Sequence, residues 1–199
     1  STTHCAWTAD ALLSLGRAYQ AAAVLAAAAD LDLFDVLVGG DLPATAIARR
    51  LQCDPRGLVI LLDALAAMRL LIKREDRYAL PAKTAKFLRS DGSKSILAMA
   101  QHQANCLRKW AELAKVVKTG RPARPRPGLR GTTGDAEAFI GAMHNVSAPA
   151  ANEVIRAVRP LRFRHLLDVG GASGTWTMAF LRACPSAMSW PPAAIPRPS

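Results

Sequence analysis

The stretch His165-Leu-Leu-Asp-Val-Gly-Gly-Ala-Ser-Gly174 decides how the last part of this chain is built. Leu166, Leu167 and Val169 form a short apolar run, which predicts one buried parallel strand. A glycine-rich loop follows, and residues 176–182 then predict a buried helix. Glycines permit sharp turns and close approach of a ligand, while the N-terminus of a helix presents unpaired N–H groups. The stretch therefore predicts the first strand–loop–helix unit of a nucleotide-binding α/β fold.

The spacing of the acidic residue and the glycines indicates what the loop binds. Asp168 stands two positions before Gly170, and Gly171 and Gly174 complete the pattern Asp-x-Gly-x-Ala-x-Gly. The pattern differs from the Gly-x-Gly-x-x-Gly of dinucleotide-binding enzymes. It resembles motif I of methyltransferases that use S-adenosylmethionine (SAM), in which the loop wraps the methionine part of SAM and the carboxylate helps place its ammonium group. Ala172 departs from the glycine usual at the middle position, and a plain tight turn is the structural alternative.

Residues 42–80 have the order helix, turn, helix, two strands, which is the pattern of a winged helix. The first helix covers residues 44–51, and Asp54 caps the second, with proline at its first position. The two strands, residues 70–74 and 77–80, flank a predicted hairpin turn.

Winged helices most often bind DNA, so the composition of the second helix is informative. Between Pro55 and Met68 its polar side chains are Arg56 and Asp63 only. A helix that reads DNA needs side chains able to reach base edges or phosphates. The segment therefore argues against a DNA reader, although three basic residues in the two strands could contact phosphates.

The amino-acid sequence of this segment shows a second resemblance to known proteins. Residues 42–88, LPATAIARRLQCDPRGLVILLDALAAMRLLIKREDRYALPAKTAKFL, resemble the N-terminal domain of small-molecule O-methyltransferases related to plant caffeate and bacterial polyketide enzymes. The resemblance implies a winged helix that serves dimerisation and closure of the substrate pocket. An earlier helix, residues 11–29 capped by Asp10, is apolar nearly all round, which also predicts a partner subunit and hence a homodimer.

Residues 95–160 are predicted to link the two parts of the chain. A long helix over 95–118 has seven positions at alternating steps of three and four, predicted to pack as one seam: Ile96, Met99, Gln103, Cys106, Trp110, Leu113 and Val117. Residues 121–128, with three prolines and three arginines, are predicted to be a solvated linker. Further helices are expected to start at Asp135 and just after Ser147.

The word AFIGAMHNVSAPAANEVI, residues 138–155, resembles the family segment that bridges the two domains. The resemblance implies that Phe139 and Met143 line the substrate pocket and that Ser147 lies near SAM. Plain core packing of Phe139 and Met143 is the alternative. His144 invites a catalytic interpretation, but the family base is a histidine farther along the catalytic domain, so no catalytic residue is named here.

Composition narrows the class of protein. The net charge of +11 is concentrated in residues 71–134, which hold 15 basic and 4 acidic groups, so a polyanionic partner is one interpretation and solvated faces are the preferred one. The four cysteines and four histidines have no metal-type spacing, which predicts reduced thiols and no metal. No apolar run of about 18 residues and no basic leader is evident. We therefore expect a cytoplasmic protein.

The resemblance stops near residue 185. The family would continue with a strand ending in an acid that binds the ribose hydroxyls, whereas residues 186–199 lack an acid and carry four prolines, a poor central strand. A truncated or frame-shifted methyltransferase, lacking the catalytic base, is the hypothesis that follows.

The sequence thus predicts a mainly α chain: a winged-helix dimerisation domain (1–94), linking helices with the substrate-pocket region (95–160), and the opening of a Rossmann-like SAM-binding domain (161–199). The implied reaction is methyl transfer from SAM to a hydroxyl of a small aromatic or polyketide-like compound. A non-catalytic dimerisation module and a DNA-binding regulator remain as alternatives.

Overall fold

The computed structural model describes residues 7–92 and 94–190. The chain is mainly helical, as expected, and three short strands accompany the first helices while two more lie on either side of the last helix. The helices are α1 Ala9–Arg17, α2 Tyr19–Asp30, α3 Leu33–Val36, α4 Ala44–Leu51, α5 Pro55–Ala67, α6 Ala82–Leu88, α7 Leu97–Trp110, α8 Leu113–Thr119, α9 Gly131–Ala157 and α10 Thr175–Ala183. The strands are β1 Leu42–Pro43, β2 Ile72–Arg74, β3 Arg77–Ala79, β4 His165–Leu167 and β5 Met188–Trp190.

The first part of the chain closes around one hydrophobic core. Leu62 and Leu65 of α5, Phe34 of α3 and Ile47 of α4 are fully buried together, and Tyr78 of β3 is 1% exposed. Local sequence fixes the helix that carries the two leucines: the carboxylate of Asp54 accepts the Gly57 N–H at 2.7 Å, as the capping prediction required. Burying these side chains is the main source of stability for this part of the chain.

The three short strands form an antiparallel sheet in the order β1-β3-β2. Lys73 lies opposite Tyr78, and Glu75 takes a left-handed φ of 54° in the hairpin turn, so the predicted hairpin is confirmed. Two of its three basic side chains are paired: Lys73 Nζ lies 2.6 Å from Asp63, and Arg77 Nε lies 2.9 Å from Asp41. These hydrogen bonds lower the pKa of both carboxyl groups.

The N-terminal helix differs from expectation in its cap and its continuity. The hydroxyl of Thr8, and not Asp10, accepts the Ala11 N–H at 3.2 Å, and the helix is interrupted at Ala18. No residue of α1 is buried. The stretch Ala9–Asp30, with a mean hydropathy of 1.3, is long and apolar enough to cross a membrane by length and composition alone, which corrects the expectation that no stretch reaches that length.

The seam predicted for residues 95–118 was wrong in two respects. The helix divides into α7 and α8 after Trp110, and the predicted seam faces outward, with Trp110 67% and Val117 76% exposed. The buried face of α7 consists instead of Leu97, Ala100, Gln101 and Ala104. This face packs against α2 and α9, because small residues let the helices approach closely. The Gln101 side chain is satisfied there by a hydrogen bond to the Ala29 carbonyl at 3.2 Å.

The two helices expected after residue 135 are one 27-residue helix, α9. It begins at Gly131 and continues through Ser147, after which a separate helix was predicted to start, and through Pro149. Ala142 and Ala151, each fully buried, lie on either side of the proline. Packing of α9 against α7 and α10 therefore outweighs the local disruption by proline.

The stretch that begins with β4 folds as the predicted strand–loop–helix unit, but its strand is not buried. Leu167 is 67% and Val169 86% exposed, which contradicts the predicted buried strand. The reason is that β4 has one described neighbour, β5, with which it pairs in parallel. The following helix α10 buries Thr175 and Thr177, while Trp176 stays 37% exposed.

β5 itself corrects the expectation for the C-terminal tail. It pairs in parallel with β4 from Met188 to Trp190. The four prolines of the tail all come after Trp190, so they do not remove a hydrogen-bond donor from this ladder. The rest of the tail lies outside the described residues.

Candidate functional site

The loop between β4 and α10 has the backbone that its glycines predict. Gly170 and Gly174 have φ values of 74° and 66°, and the Gly174 N–H donates to the Gly171 carbonyl at 2.6 Å. A Cβ at Gly171 would come within 2.7 Å of the Asp168 carboxylate and would push that side chain out of its present position. Ala172 also lies in the left-handed region, with φ 43°, which costs energy for a residue with a side chain. Position 172, where the methyltransferase motif usually has glycine, therefore has the left-handed backbone that glycine adopts most easily.

The carboxylate of Asp168 is tied to the helix that follows the loop. Thr177 in the first turn of α10 donates its hydroxyl hydrogen bond to Asp168, and Thr177 is 4% exposed. This bond closes the loop by joining the end of the strand to the start of the helix. The carboxylate is thus held at the mouth of the loop, beside the N-terminus of α10.

A second hydrogen-bonded chain joins the loop to the long helix. His144 Nδ1 of α9 lies 2.7 Å from the hydroxyl of Thr175, the first residue of α10. The same hydroxyl lies 2.6 Å from that of Ser173 in the loop. Thr175 is 6% exposed, so its hydroxyl depends on these two partners.

The three residues predicted on α9 lie along one face at steps of four: Phe139, Met143 and Ser147. Phe139 is 45% exposed and its ring stands 5.3 Å from that of His102 on α7, while Met143 and Ser147 are half-buried. None of them has a recorded hydrogen bond to the loop. The residue that brings α9 to the loop is their neighbour His144.

A cavity of about 260 Å³ lies at one end of this face. Phe139 and His102 line it, and residues 124–127 cover it. Residues 124–127 are exposed, as expected of a solvated linker, and they lie along this cavity with a few contacts to the helices. Arg126 pairs with Glu112 of α8 at 3.2 Å, and the N–H of Gly128 donates to Asp135 at 2.9 Å. The segment has no helix or strand of its own, so these contacts hold it at the cavity.

Arg108 of α7 ties three helices together beside the cavity. Its guanidinium lies 3.1 Å from the carboxylate of Asp30 at the end of α2 and 3.4 Å from that of Asp135 on α9. Burial raises the pKa of Asp30 and the hydrogen bond from Arg108 opposes that change. The network fixes α9, and with it Phe139, against the first part of the chain.

Thr175 and Thr177 are site residues that the sequence reading missed. Both follow the loop in the first turn of α10, where hydroxyl side chains commonly bond to nearby groups, and that position was the available signal. No local signal pairs Thr175 with His144, 31 residues earlier, since that contact depends on how α9 and α10 pack.

Comparisons with known proteins bear on this arrangement. Residues 13–90 match the model of the O-methyltransferase dimerisation domain. The chain is 31% identical over 190 residues to the tetracenomycin polyketide synthesis 8-O-methyl transferase TcmO of Streptomyces glaucescens, covering 92% of this chain and 56% of TcmO. The chain is thus similar to O-methyltransferases over most of its own length.

Two further relatives agree with this similarity. Acetylserotonin O-methyltransferase of Rattus norvegicus is 29% identical over 189 residues, with 87% of this chain and 43% of the relative covered. A structure of PigF with SAH superposes with a TM-score of 0.74 at 29% identity, covering 91% of this chain and 57% of PigF. The chain spans about half the length of the curated relatives it matches. The match to the dimerisation domain includes most of the apolar stretch Ala9–Asp30.

Proposed function

We propose that this chain takes part in methyl transfer from SAM to a hydroxyl of a small aromatic or polyketide-like compound. The proposal rests on the loop of residues 170–174, which is open to a ligand. The hydrogen bonds of Asp168, just before the loop, and of His144 on α9 hold the loop in place. Similarity to O-methyltransferases supplies the reaction class, and TcmO supplies the precedent of a polyketide acceptor.

The loop fits SAM by its shape. A Cβ added at Gly170 or Gly174 would meet no atom within 4 Å, so the backbone there faces open space. We assign Asp168, Gly170, Gly171 and Gly174 to the methionine part of SAM, and Ser147 to the same ligand from α9. The N–H groups at the start of α10 favour a carboxylate nearby. Bound SAM would supply an electrophilic methyl group on a sulfonium.

The acceptor is assigned to the cavity beside Phe139 and to the face of α9 that continues through Met143. The half-exposed ring of Phe139 and the thioether of Met143 suit an aromatic acceptor. Along α9, Phe139 lies about 12 Å from Ser147, at about 1.5 Å for each residue. This spacing matches an acceptor of several fused rings more closely than a single ring.

The residues of this chain contribute mainly by positioning. A hydroxyl acceptor must lose its proton as its oxygen attacks, and fixing the two reactants in line supplies a large part of the rate enhancement. α9 can do this because one helix carries the residues assigned to the acceptor and the serine assigned to SAM. We assign no catalytic base among the described residues.

The finer architecture is part of the proposal. We interpret α4, α5 and the β2–β3 hairpin as a winged helix within a dimerisation domain of residues 1–94. Residues 95–160 then form the linking and substrate-pocket region, and residues 161–199 the opening of a Rossmann-like SAM-binding domain. The parallel pairing of β4 with β5 around α10 supports the last assignment.

We propose that a second copy of the chain covers α1. Leu12, Leu13, Leu15 and Tyr19 are each more than half exposed on this helix and its neighbour. Such an apolar surface in a dimerisation domain favours a homodimer, which also accounts for Ala9–Asp30 without a membrane. A nucleic-acid partner is not favoured, because Lys73 and Arg77 of the hairpin are already paired with carboxylates.

Thermal unfolding with and without excess S-adenosylhomocysteine (SAH) tests the proposal. At 100 times its dissociation constant, SAH should stabilise the folded chain by about 2.7 kcal/mol. Gly171→Ala should abolish the shift, because the added Cβ would collide with Asp168. Gly16→Ala is the matched control, since nothing lies within 4 Å of a Cβ there.

A chain that melts cooperatively without any SAH shift would contradict the cofactor assignment. The exposed strand β4 gives a specific reason to consider that result. The chain would then act as a non-catalytic dimerisation module. Mixed dimers with a full-length family member on co-expression would identify that role.

A further inference from the structure

We infer that His144 is a positioning residue that clamps the glycine loop of residues 170–174 to the long helix α9. The inference rests on the proposed cofactor function and adds a residue to which no role has been assigned. α9 also packs against α10, but within residues 7–92 and 94–190 the bond from His144 to Thr175 is the one hydrogen bond or ion pair between residues before 161 and the β4–α10–β5 unit.

The position of the bond explains why it would control the loop. Thr175 follows Gly174, whose φ of 66° lets the chain turn from the loop into α10. The Thr175 hydroxyl also contacts the Ser173 hydroxyl, so the hydrogen bonds from His144 extend into the loop itself. At its other end the loop is closed by Thr177 and Asp168, both within the same unit. The His144 end adds a directional hydrogen bond from the loop's neighbour Thr175 to α9, beside the packing of α10 on that helix.

The clamp matters because both sides of the proposed SAM site meet across it. Ser147, assigned to SAM, lies three residues after His144 and therefore on the same side of α9. The glycines that form the other side lie directly before Thr175. Helix packing brings the two walls of this site together, and the hydrogen bonds from His144 through Thr175 to Ser173 fix the loop's position against α9. Preorganised walls of this kind raise ligand affinity, because less ordering is required on binding.

The hydrogen bonds from His144 through Thr175 to Ser173 can form with the imidazole neutral or protonated. Neutral His144 with its proton on Nε2 accepts from Thr175, which accepts from Ser173. Protonated His144 donates to Thr175, which then donates to Ser173. The clamp therefore requires a polar group at the position of Nδ1, and not a particular charge. An asparagine amide has both a donor and an acceptor at nearly that position.

Three variants of the 199-residue chain test the clamp. His144→Leu removes the bond, and His144→Asn is designed to retain it. Asn145→Leu is the matched control, since it removes a hydrogen bond of similar length, 2.8 Å, from the next position of α9 to the Ser95 carbonyl. Hydrogen exchange of ligand-free protein reports how well residues 170–175 are ordered. Titration with SAH measures the dissociation constant of the site.

We expect His144→Leu to speed exchange of the loop amides and to weaken SAH binding roughly tenfold, the loss of one well-satisfied hydrogen bond. His144→Asn should restore both to within about threefold of the parent. Asn145→Leu should leave both unchanged. Restoration by asparagine is the result that a merely space-filling histidine would not give.

The outcomes separate this inference from the proposed function. If the parent chain binds SAH and His144→Leu binds it equally well, the clamp is overturned. If the parent does not bind SAH, the cofactor assignment fails, and the clamp's role in it fails as well. Unchanged loop exchange in His144→Leu overturns the clamp whether or not SAH binds.

Discussion

The first 100 residues and the unit from residue 161 to 190 bury their apolar side chains to very different extents. In the first region a single core holds Leu62, Leu65 and Tyr78 at 1% exposure or less. In the second, Leu167 and Val169 are 67% and 86% exposed, although their apolar run is typical of a buried strand. Both regions contain elements with suitable sequences. The difference teaches that a parallel strand becomes core only when neighbours cover both of its faces.

The largest expected effect compares one leucine from each region. Leu62→Ala should lower the free energy of unfolding by about 2–5 kcal/mol, because it leaves a cavity in the core. Leu167→Ala should change it by less than about 0.5 kcal/mol, because the side chain is mostly in solvent. Urea unfolding followed by circular dichroism measures both. A large loss for Leu167→Ala would show that a second copy or another segment covers β4 in solution.

Helix capping provides a sharper test within the first region. Asp54→Ala should cost about 1 kcal/mol of stability, because the Gly57 N–H loses its acceptor. Asp10→Ala should cost much less, because Thr8 and not Asp10 caps α1. The same unfolding experiment gives both values. Equal losses for the two variants would reverse the assignment of the α1 cap.

The loop of the second region carries a backbone strain that one substitution should relieve. Ala172 has φ 43°, a conformation that costs an alanine about 1–2 kcal/mol, while glycine adds about 0.4–1 kcal/mol of unfolded-chain entropy. Ala172→Gly should therefore stabilise the loop by about 0.5 kcal/mol. Hydrogen exchange over residues 165–183 measures the change.

The control for this substitution is Ala179→Gly, seven residues later inside α10. There the same change should destabilise by about 1 kcal/mol, because the backbone is helical. A destabilisation by Ala172→Gly as well would mean that the left-handed conformation at Ala172 carries no strain.

The smallest expected effect is a pH dependence that belongs to the first region. Hydrogen bonds from Lys73 and Tyr78 lower the pKa of Asp63 below its ordinary value of 3.8. A lowered carboxyl pKa adds stability above the ordinary value, and that stability is lost as the pH falls through the folded-state pKa. Asp63→Asn should thus lower the melting temperature slightly at pH 7 and less below pH 4. A difference that grows with acidification would contradict this.

Sequence reasoning succeeded where neighbours in the chain decide the structure. The Asp54 cap, the hairpin at Glu75 and the glycine-rich turn before α10 each depend on residues a few positions apart. It failed for the seam of α7, because Trp110 and Val117 were judged by spacing alone. A new helix was predicted to start just after Ser147, and packing kept α9 continuous. The roles of Asp168, Ser147, Phe139 and Met143 stay predictions.

The sequence by itself determined the order of the elements, the backbone of the loop and, through its family resemblance, the reaction class to test. The tertiary structure decided which faces are buried and which distant residues meet. His144 lies on a long helix and Thr175 at the start of another, and nothing near either residue predicts their contact. The physical reason is range: caps and turns form from bonds within a few residues, whereas burial and cross-helix contacts depend on how whole elements pack.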